Sequence, residues 1–323
     1  MKVATTIGGL LGLALLVALF ARADWPAVVD MLGSGGGGIL WLLPYRAVFF
    51  LLYAVGWASL LRPYDPEHQA GLGYLFWVTS VREAVDRLLP VASVGGSVVG
   101  IRLVRWRGLA AAPIAATVIV EIVLTLIASY LFTALGLLLL VGAGGTADPD
   151  YRRVVLGFIL CLPIPLITVL LLRYGSVFER SQKFLRPLIG SSTARNAVSL
   201  DLELRACLRR VSGLCATGTL QFAALLSGAF EIWFALRLFG HPVGVETAIV
   251  LESMTQALRH LAFVVPAGIG VQEAGLVVFG HVLGIGGELA LAVSMAKRMR
   301  ELLWGLPSLL SWQWCEGRRR LYH

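Results

Sequence analysis

From Ala110 to Val141 the chain carries one charged side chain, Glu121. About 20 apolar residues in a helix cross the hydrocarbon core of a bilayer, and this run is longer than that. In lipid each backbone polar group must find its partner inside the segment, so the run is a helix. The whole chain has the same character. Of 323 residues, 58% are apolar and 14% charged, where a soluble globular chain carries about 25% charged residues. Mean hydropathy is +0.81. A soluble enzyme on a single anchor is excluded, because that much apolar surface has no way to leave water. The chain is read as one membrane domain, residues 1–323, of the all-α polytopic class.

Six stretches read as full spans: Thr6 to Ala21, Ile39 to Leu61, Ala110 to Val141, Val154 to Leu172, Val211 to Phe239 and Gly286 to Ser311. A Gly-rich turn, Gly33 to Gly38, is expected before the second. Arg62-Pro63-Tyr64-Asp65-Pro66-Glu67 ends that span as a polar loop. Gly142 to Asp150 is another polar turn. Lys2, the apolar run Ile7 to Phe20 and Ala21-Arg22-Ala23 together have the form of a secretory leader. With so many later spans, an uncleaved first helix is expected.

Two regions break the pattern. Tyr74 to Val104 carries Arg82, Glu83, Asp86 and Arg87, then Pro90, Gly95, Gly96 and Gly100. Val245 to Gly284 carries Glu246, Glu252, Gln256, Arg259 and His260, then Pro266, Gly268, Gly270 and Glu273. Each is apolar enough to enter a bilayer and too charged to face lipid as one straight helix. Each is therefore expected to be a re-entrant pair of short helices around a Pro/Gly break. Arg precedes Pro and Gly follows it at nearly the same spacing in both. That points to two repeats, about 39–141 and about 211–311, with a binding site where they meet.

Charge places the ends. The segment 175–210 holds seven basic residues against three acidic ones, Arg102, Arg105 and Arg107 cluster after the first broken pair, and Arg318, Arg319 and Arg320 close the chain. The turns at 22–38, 142–153 and 240–246 are poor in Lys and Arg. By the positive-inside rule both termini are cytoplasmic. The first broken pair then enters from the cytoplasm and the second from the opposite face, which is an inverted repeat. The net charge of +8 marks cytoplasmic loops and anionic lipid, and no nucleic-acid partner is expected. Within 175–210, Leu200, Leu204, Leu208 and Val211 recur at helical spacing with Arg205, Arg209 and Arg210 between them. This is a helix on the membrane face or an extension of the next span.

A charge at membrane depth costs about 2.5–3.5 kcal/mol and is usually paired, inward-facing and functional. Candidate substrate-binding residues are therefore Arg298, Glu121, Glu273, Arg259, Arg82, Arg87, Arg300 and Lys297. Pro90, Gly95, Gly96, Pro266, Gly268 and Gly270 form the structural motif. Arg298 and Lys297 stand three and four residues before Glu301, on one helix face. Three bases against one acid leave an excess that Glu121, Glu273 or a bound anion must offset. Glu231 and Arg46 lie nearer span ends and are expected to snorkel to the interface. His260 has no second ligand at metal spacing. The four cysteines, Cys161, Cys207, Cys215 and Cys315, form no CxxC pair and are read as reduced thiols. There is no GxSxG, HExxH, P-loop or paired acidic motif, so no cofactor and no enzymatic activity are expected.

At Leu89-Pro90-Val91-Ala92-Ser93-Val94-Gly95-Gly96, at Pro266-Ala267-Gly268-Ile269-Gly270-Val271-Gln272-Glu273 and at Arg298, the chain resembles the lysylphosphatidylglycerol synthase transmembrane region, a flippase-like domain. It is most similar to the stand-alone members associated with hopanoid biosynthesis. The likeness runs from about residue 5 to 315. Many members carry Arg where this chain has Gln272. The resemblance implies a bacterial inner-membrane lipid translocase built on inverted repeats with re-entrant helices. It does not imply lysyl transfer, which in the full-length synthases belongs to a separate soluble domain. The expected partner is a membrane lipid with an anionic or polar head, a hopanoid-linked one among the candidates. Lipid-biosynthesis enzymes are a further candidate partner on the cytoplasmic face. An intramembrane enzyme and a non-transporting scaffold of a hopanoid or isoprenoid pathway remain as alternatives.

Overall fold

The computed structural model describes residues 17–18, 21, 24–89, 95–142, 191–262, 265 and 268–321. The expected spans Thr6 to Ala21 and Val154 to Leu172 fall largely or wholly outside those residues, as do Cys161, Pro90, Pro266 and residues 175–190 of the 175–210 loop. All regular structure among the described residues is helical.

Helix α1, Trp25–Gly35, starts where the Asp24 carboxylate accepts a hydrogen bond from the Ala27 N–H, with proline in the first turn. The expected Gly-rich turn is a correction. Gly33 to Gly35 complete α1, and a 3-10 helix, Gly36–Trp41, follows and runs into α2, Leu42–Leu61. Gly36 alone leaves the helical path, with left-handed backbone at φ 47°, and large neighbours lie close just after it: a Cβ on Gly38 would meet the Leu238 side chain at 2.8 Å. Together Trp25–Leu61 form one apolar stretch of 37 residues. The polar loop after α2 is held by Asp65, whose carboxylate accepts from the N–H groups of Gln69 and Ala70, both at 2.8 Å.

Next come two short helices, α3 (Leu72–Leu88) and α4 (Gly95–Arg105), then the long α5, Ala111–Gly142. After α6, Ser191–Leu208, the order repeats: long α7 (Val211–Leu238), short α8 (Val245–Leu261) and α9 (Val271–Val282), then α10, Gly287–Leu321. Among the described residues three stretches are long and apolar enough to cross a membrane: Trp25–Leu61, Ala111–Gly142 and Val211–Leu238. The last expected span lies within α10, a 35-residue helix that carries Lys297, Arg298, Arg300 and Glu301 through its middle.

Lipid tails are as apolar as leucine, so close backbone approach and hydrogen bonds must hold such helices together. Helices α2 and α7 lie side by side and antiparallel: Tyr45 stacks near Phe234 at 5.4 Å, and Gly56 faces Thr217. At that crossing the Thr217 hydroxyl donates to the Gly56 carbonyl at 2.8 Å and meets the Ser59 hydroxyl at 2.9 Å. Helix α5 packs on α7 and α8, α10 on α3 and α9, and α6 on α5. One core gathers Trp57, Leu75, Val78, Leu103 and Ile114 from α2 to α5. Another gathers Ile232, Leu236, Leu251, Leu276 and Ala292 from α7 to α10, closed by Val28 of α1 and Leu42 of α2.

Candidate functional site

The middle of α10 sets the site. Helical periodicity puts Lys297, Glu301 and Trp304 on one face and turns Arg298 and Arg300 to either side. Lys297 Nζ lies 2.6 Å from Glu252 Oε2 on α8. Arg298 Nε meets Glu273 Oε1 on α9 at 2.9 Å, and its Nη1 meets Glu301 Oε2 at 2.9 Å. Its Nη2 donates to the Gly268 carbonyl at 3.3 Å. Arg300 Nη1 bonds Glu231 Oε2 on α7 at 2.7 Å, and its Nη2 stands 3.6 Å from Glu301 Oε1. Glu301 is thus shared by two guanidiniums. Across from them Glu83 is shared in the same way, by Arg87 on its own helix at 2.9 Å and by Arg46 of α2. The Arg46 guanidinium also sits over the Phe49 ring, 3.9 Å from its centre.

The two shared carboxylates border one narrow pocket, with room for no more than about one water molecule. Arg46, Glu83 and Arg87 line it from α2 and α3, and Arg300, Glu301 and Trp304 from α10. Phe50 and the Trp304 ring lie 5.3 Å apart and form its apolar wall. Buried polar atoms left without a partner around the network include Glu231 Oε1, Glu273 Oε2, Arg87 Nη1, Arg300 Nε and Trp304 Nε1.

Several expectations are corrected here. The base excess on α10 is offset within the chain, by Glu231, Glu252 and Glu273 as well as Glu301. Lys297 pairs with Glu252 rather than with Glu301. Arg46 and Glu231 do not snorkel. They are 8% and 2% exposed and paired, Arg46 with Glu83 of α3 and Glu231 with Arg300 of α10. Glu121 does not serve the α10 bases at all. It pairs with Arg82 at 2.8 Å. Arg82 lies over the Trp57 ring at 4.7 Å, and Trp57 Nε1 donates to Thr117 Oγ1 at 3.1 Å. The Gln221 amide caps the group on the Glu121 carbonyl at 3.3 Å.

The helix breaks position these charges. Gly96 opens α4 so close to α3 that a Cβ would lie 2.3 Å from the Arg82 carbonyl, and its N–H donates to Asp86 Oδ1 at 2.8 Å. Gly95 is the first residue of the same helix. In the second pair Gly268 and Gly270 take left-handed backbone, φ 61° and 77°, which glycine adopts without a Cβ penalty. Gly268 also makes room for Arg259, whose Nη1 donates to Gln272 Oε1 at 2.8 Å. Glu83, Glu252 and Trp304 were not among the candidates. Trp304 lies one helical turn from Arg300 and Glu301, the one spacing signal that leads to it. Among the described residues no group of three or more His, Cys, Asp or Glu is placed to hold a metal ion.

A bundle of apolar helices of bilayer length, with ion pairs shut between them, is an integral membrane protein. Residues 5–306 match the family described as lysylphosphatidylglycerol synthase TM region, and the chain belongs to that family. Comparison with curated proteins and with solved structures gives no match. The family makes this a membrane protein of lipid metabolism or transport.

Proposed function

We propose that the chain is a lipid translocase of a bacterial inner membrane and not an enzyme. It moves an amphiphile whose polar head crosses along the buried ion network while its tails stay in lipid. The observation that carries this reading is the network itself. Replacing a buried ion pair by apolar residues of similar volume is often neutral or stabilising. Charges kept at membrane depth are therefore retained for what they do. Two of the carboxylates, Glu83 and Glu301, already serve two guanidiniums each. Such shared partners can be exchanged for a headgroup without any charge being left bare.

The packing supports an inverted repeat of six spans and two re-entrant pairs. Helices α2 to α5 correspond in order and length class to α7 to α10. Helix α5 lies on α8 as α10 lies on α3, and on α7 as α10 lies on α2. The antiparallel α2–α7 contact is what a two-fold axis in the membrane plane produces. Arg259 follows Arg82 by the same number of residues as Arg298 follows Glu121 and Glu273 follows Gly96. Because the network is balanced in charge, a zwitterionic or otherwise polar head suits it as well as an anionic one. The stand-alone relatives make a hopanoid-linked lipid a candidate.

One observation favours a second reading. Every base of the network faces a carboxylate, as a static scaffold that docks lipid-synthesis enzymes would require. Purified protein in liposomes separates the two. The translocase accelerates transbilayer movement of a polar-headed lipid, and Arg298→Ala abolishes this while the protein stays folded in the membrane. A scaffold gives no acceleration, and Arg298→Ala then lowers stability alone.

A further inference from the structure

Helix α10 runs on past Ser311, where the expected span closes, and ends at Leu321. There it meets the end of α4 and the start of α3. The Arg102 guanidinium bonds the Glu316 carboxylate, and Trp77 Nε1 donates to Ser311 Oγ at 2.8 Å. Three more guanidiniums sit over aromatic rings: Arg107 over Tyr74 at 4.2 Å, Arg319 over Trp106 at 5.0 Å and Arg318 over Trp314 at 5.0 Å. A ring takes the face of a guanidinium and leaves the N–H groups in its plane to another partner. Among the described residues none of these three, nor Arg105, is paired with a carboxylate, and all four are exposed.

Charge at this end is not balanced. Residues 95–110 and 302–321 hold six arginines and one acid, Glu316. The loop 62–71 adjoins them, since a Cβ on Gly108 would meet Gln69 Oε1 at 3.3 Å. It adds Arg62 against Asp65 and Glu67. Arg210 lies over Tyr64 of that loop, and the α6–α7 junction brings Arg205, Arg209 and Arg210 against Asp201 and Glu203. The excess of bases survives each wider count. At the opposite end, where α7 finishes and α8 and α10 begin, Arg237 stands with Glu246 and Glu288.

An apolar stripe leads to the arginines. Leu302, Leu306, Leu310, Trp314 and Arg318 recur at every fourth residue of α10, and all are exposed. That spacing keeps them on one side of the helix. At 1.5 Å per residue, Leu302 to Trp314 covers about 18 Å, close to the hydrocarbon depth of one leaflet. Trp314 then falls where tryptophan settles, at the level of the headgroups. An acidic protein would answer the charge and leave the stripe uncovered. A neutral lipid would do the reverse. A ligand that is both apolar and anionic answers both.

We propose that this outer face of α10, with the end of α4, binds an anionic phospholipid. An acyl chain lies along Leu302, Leu306 and Leu310, and Arg318 and Arg319 hold the phosphodiester by their free N–H edges. Arg105 and Arg107 add to the field that draws it. The site is on the surface and apart from the buried network, and it does not rest on the translocase reading.

The test uses the purified full chain in an uncharged detergent, with the thermal unfolding midpoint as readout, since a ligand of the folded state raises it by mass action. The probes are dioleoyl phosphatidylglycerol, dioleoyl phosphatidylcholine with the same chains, and glycerol phosphate, which has the anion without chains. Phosphatidylglycerol should give a saturable rise at a concentration about tenfold or more below that needed with phosphatidylcholine. Joint Arg318→Gln and Arg319→Gln should erase that preference. Both side chains are exposed, so the fold stays. Arg237→Gln, at the other end, should keep it. Equal rises with the two phospholipids overturn the proposal and leave the basic end to an acidic protein. A preference that survives the double substitution overturns it too, as does one lost equally in Arg237→Gln. A rise with glycerol phosphate at the phosphatidylglycerol concentrations removes the acyl chain from the site and overturns the lipid as its occupant.

Discussion

Glu301 is held from two sides, by Arg298 at 2.9 Å and Arg300 at 3.6 Å, with its side chain 5% exposed. Glu301→Gln leaves Arg298 with Glu273 alone and Arg300 with Glu231 alone, one carboxylate short in a buried network, and breaking a buried pair costs about 3–5 kcal/mol. Arg102 pairs with Glu316 at the surface, where its side chain is 57% exposed. There Arg102→Ala costs about 1 kcal/mol or less. Unfolding midpoints of the two variants in detergent check the difference, and equal losses would place Glu301 in a wet site. Thiols offer a second check. Burial pushes the Cys207 thiol up to about 11, while Cys315 is exposed. Because the thiolate is the reactive form, maleimide at pH 8 should label Cys315 and leave Cys207 unmodified. Cys207 should react only after denaturation, or as the pH approaches its raised value.

At the scale of elements, the α3–α4 pair depends on Gly96. A methyl there runs into the Arg82 carbonyl and the Asp86 carboxylate, both on α3, so Gly96→Ala must push the two helices apart. At Gly73, in the first turn of α3, a methyl would have no neighbour within 4 Å. Gly73→Ala should be neutral or stabilise by up to about 1 kcal/mol. Thermal unfolding of the pair of variants tests the close approach. Both interrupted pairs were legible in the sequence, since Pro, Gly and charge fall together in stretches otherwise apolar enough for lipid. The partners of the α10 charges were not. Lys297 and Glu252 stand 45 residues apart, Arg300 and Glu231 69, and Arg46 and Glu83 37. Local spacing offers only Glu301, three residues from Arg298 and four from Lys297, so a base excess was read where three other helices supply the acids. The Gly-rich stretch was misread for a related reason. Glycine marks a turn in isolation, but here only Gly36 leaves helical backbone, while Gly35 and Gly38 pack against Phe239 and Leu238 within helical turns.

For the whole molecule, the proposed inverted repeat of α2 to α5 and α7 to α10 makes a statement about sides. If the repeats are inverted, the loop after α2 and the loop after α7 face opposite compartments. Glu67→Cys should then react with a membrane-impermeant maleimide from the cytoplasmic side, and His241→Cys from the other. Labelling of both from one side would contradict the inverted arrangement. The central claim is that the buried network carries a lipid head across the bilayer. The most direct measurement is transbilayer movement of a fluorescent phospholipid in liposomes holding the purified protein, read by how fast a membrane-impermeant quencher reaches the inner-leaflet pool. The account predicts faster movement than in protein-free liposomes, lost in Arg298→Ala at unchanged protein incorporation. Movement no faster than in protein-free liposomes, or undiminished in that variant, would contradict it.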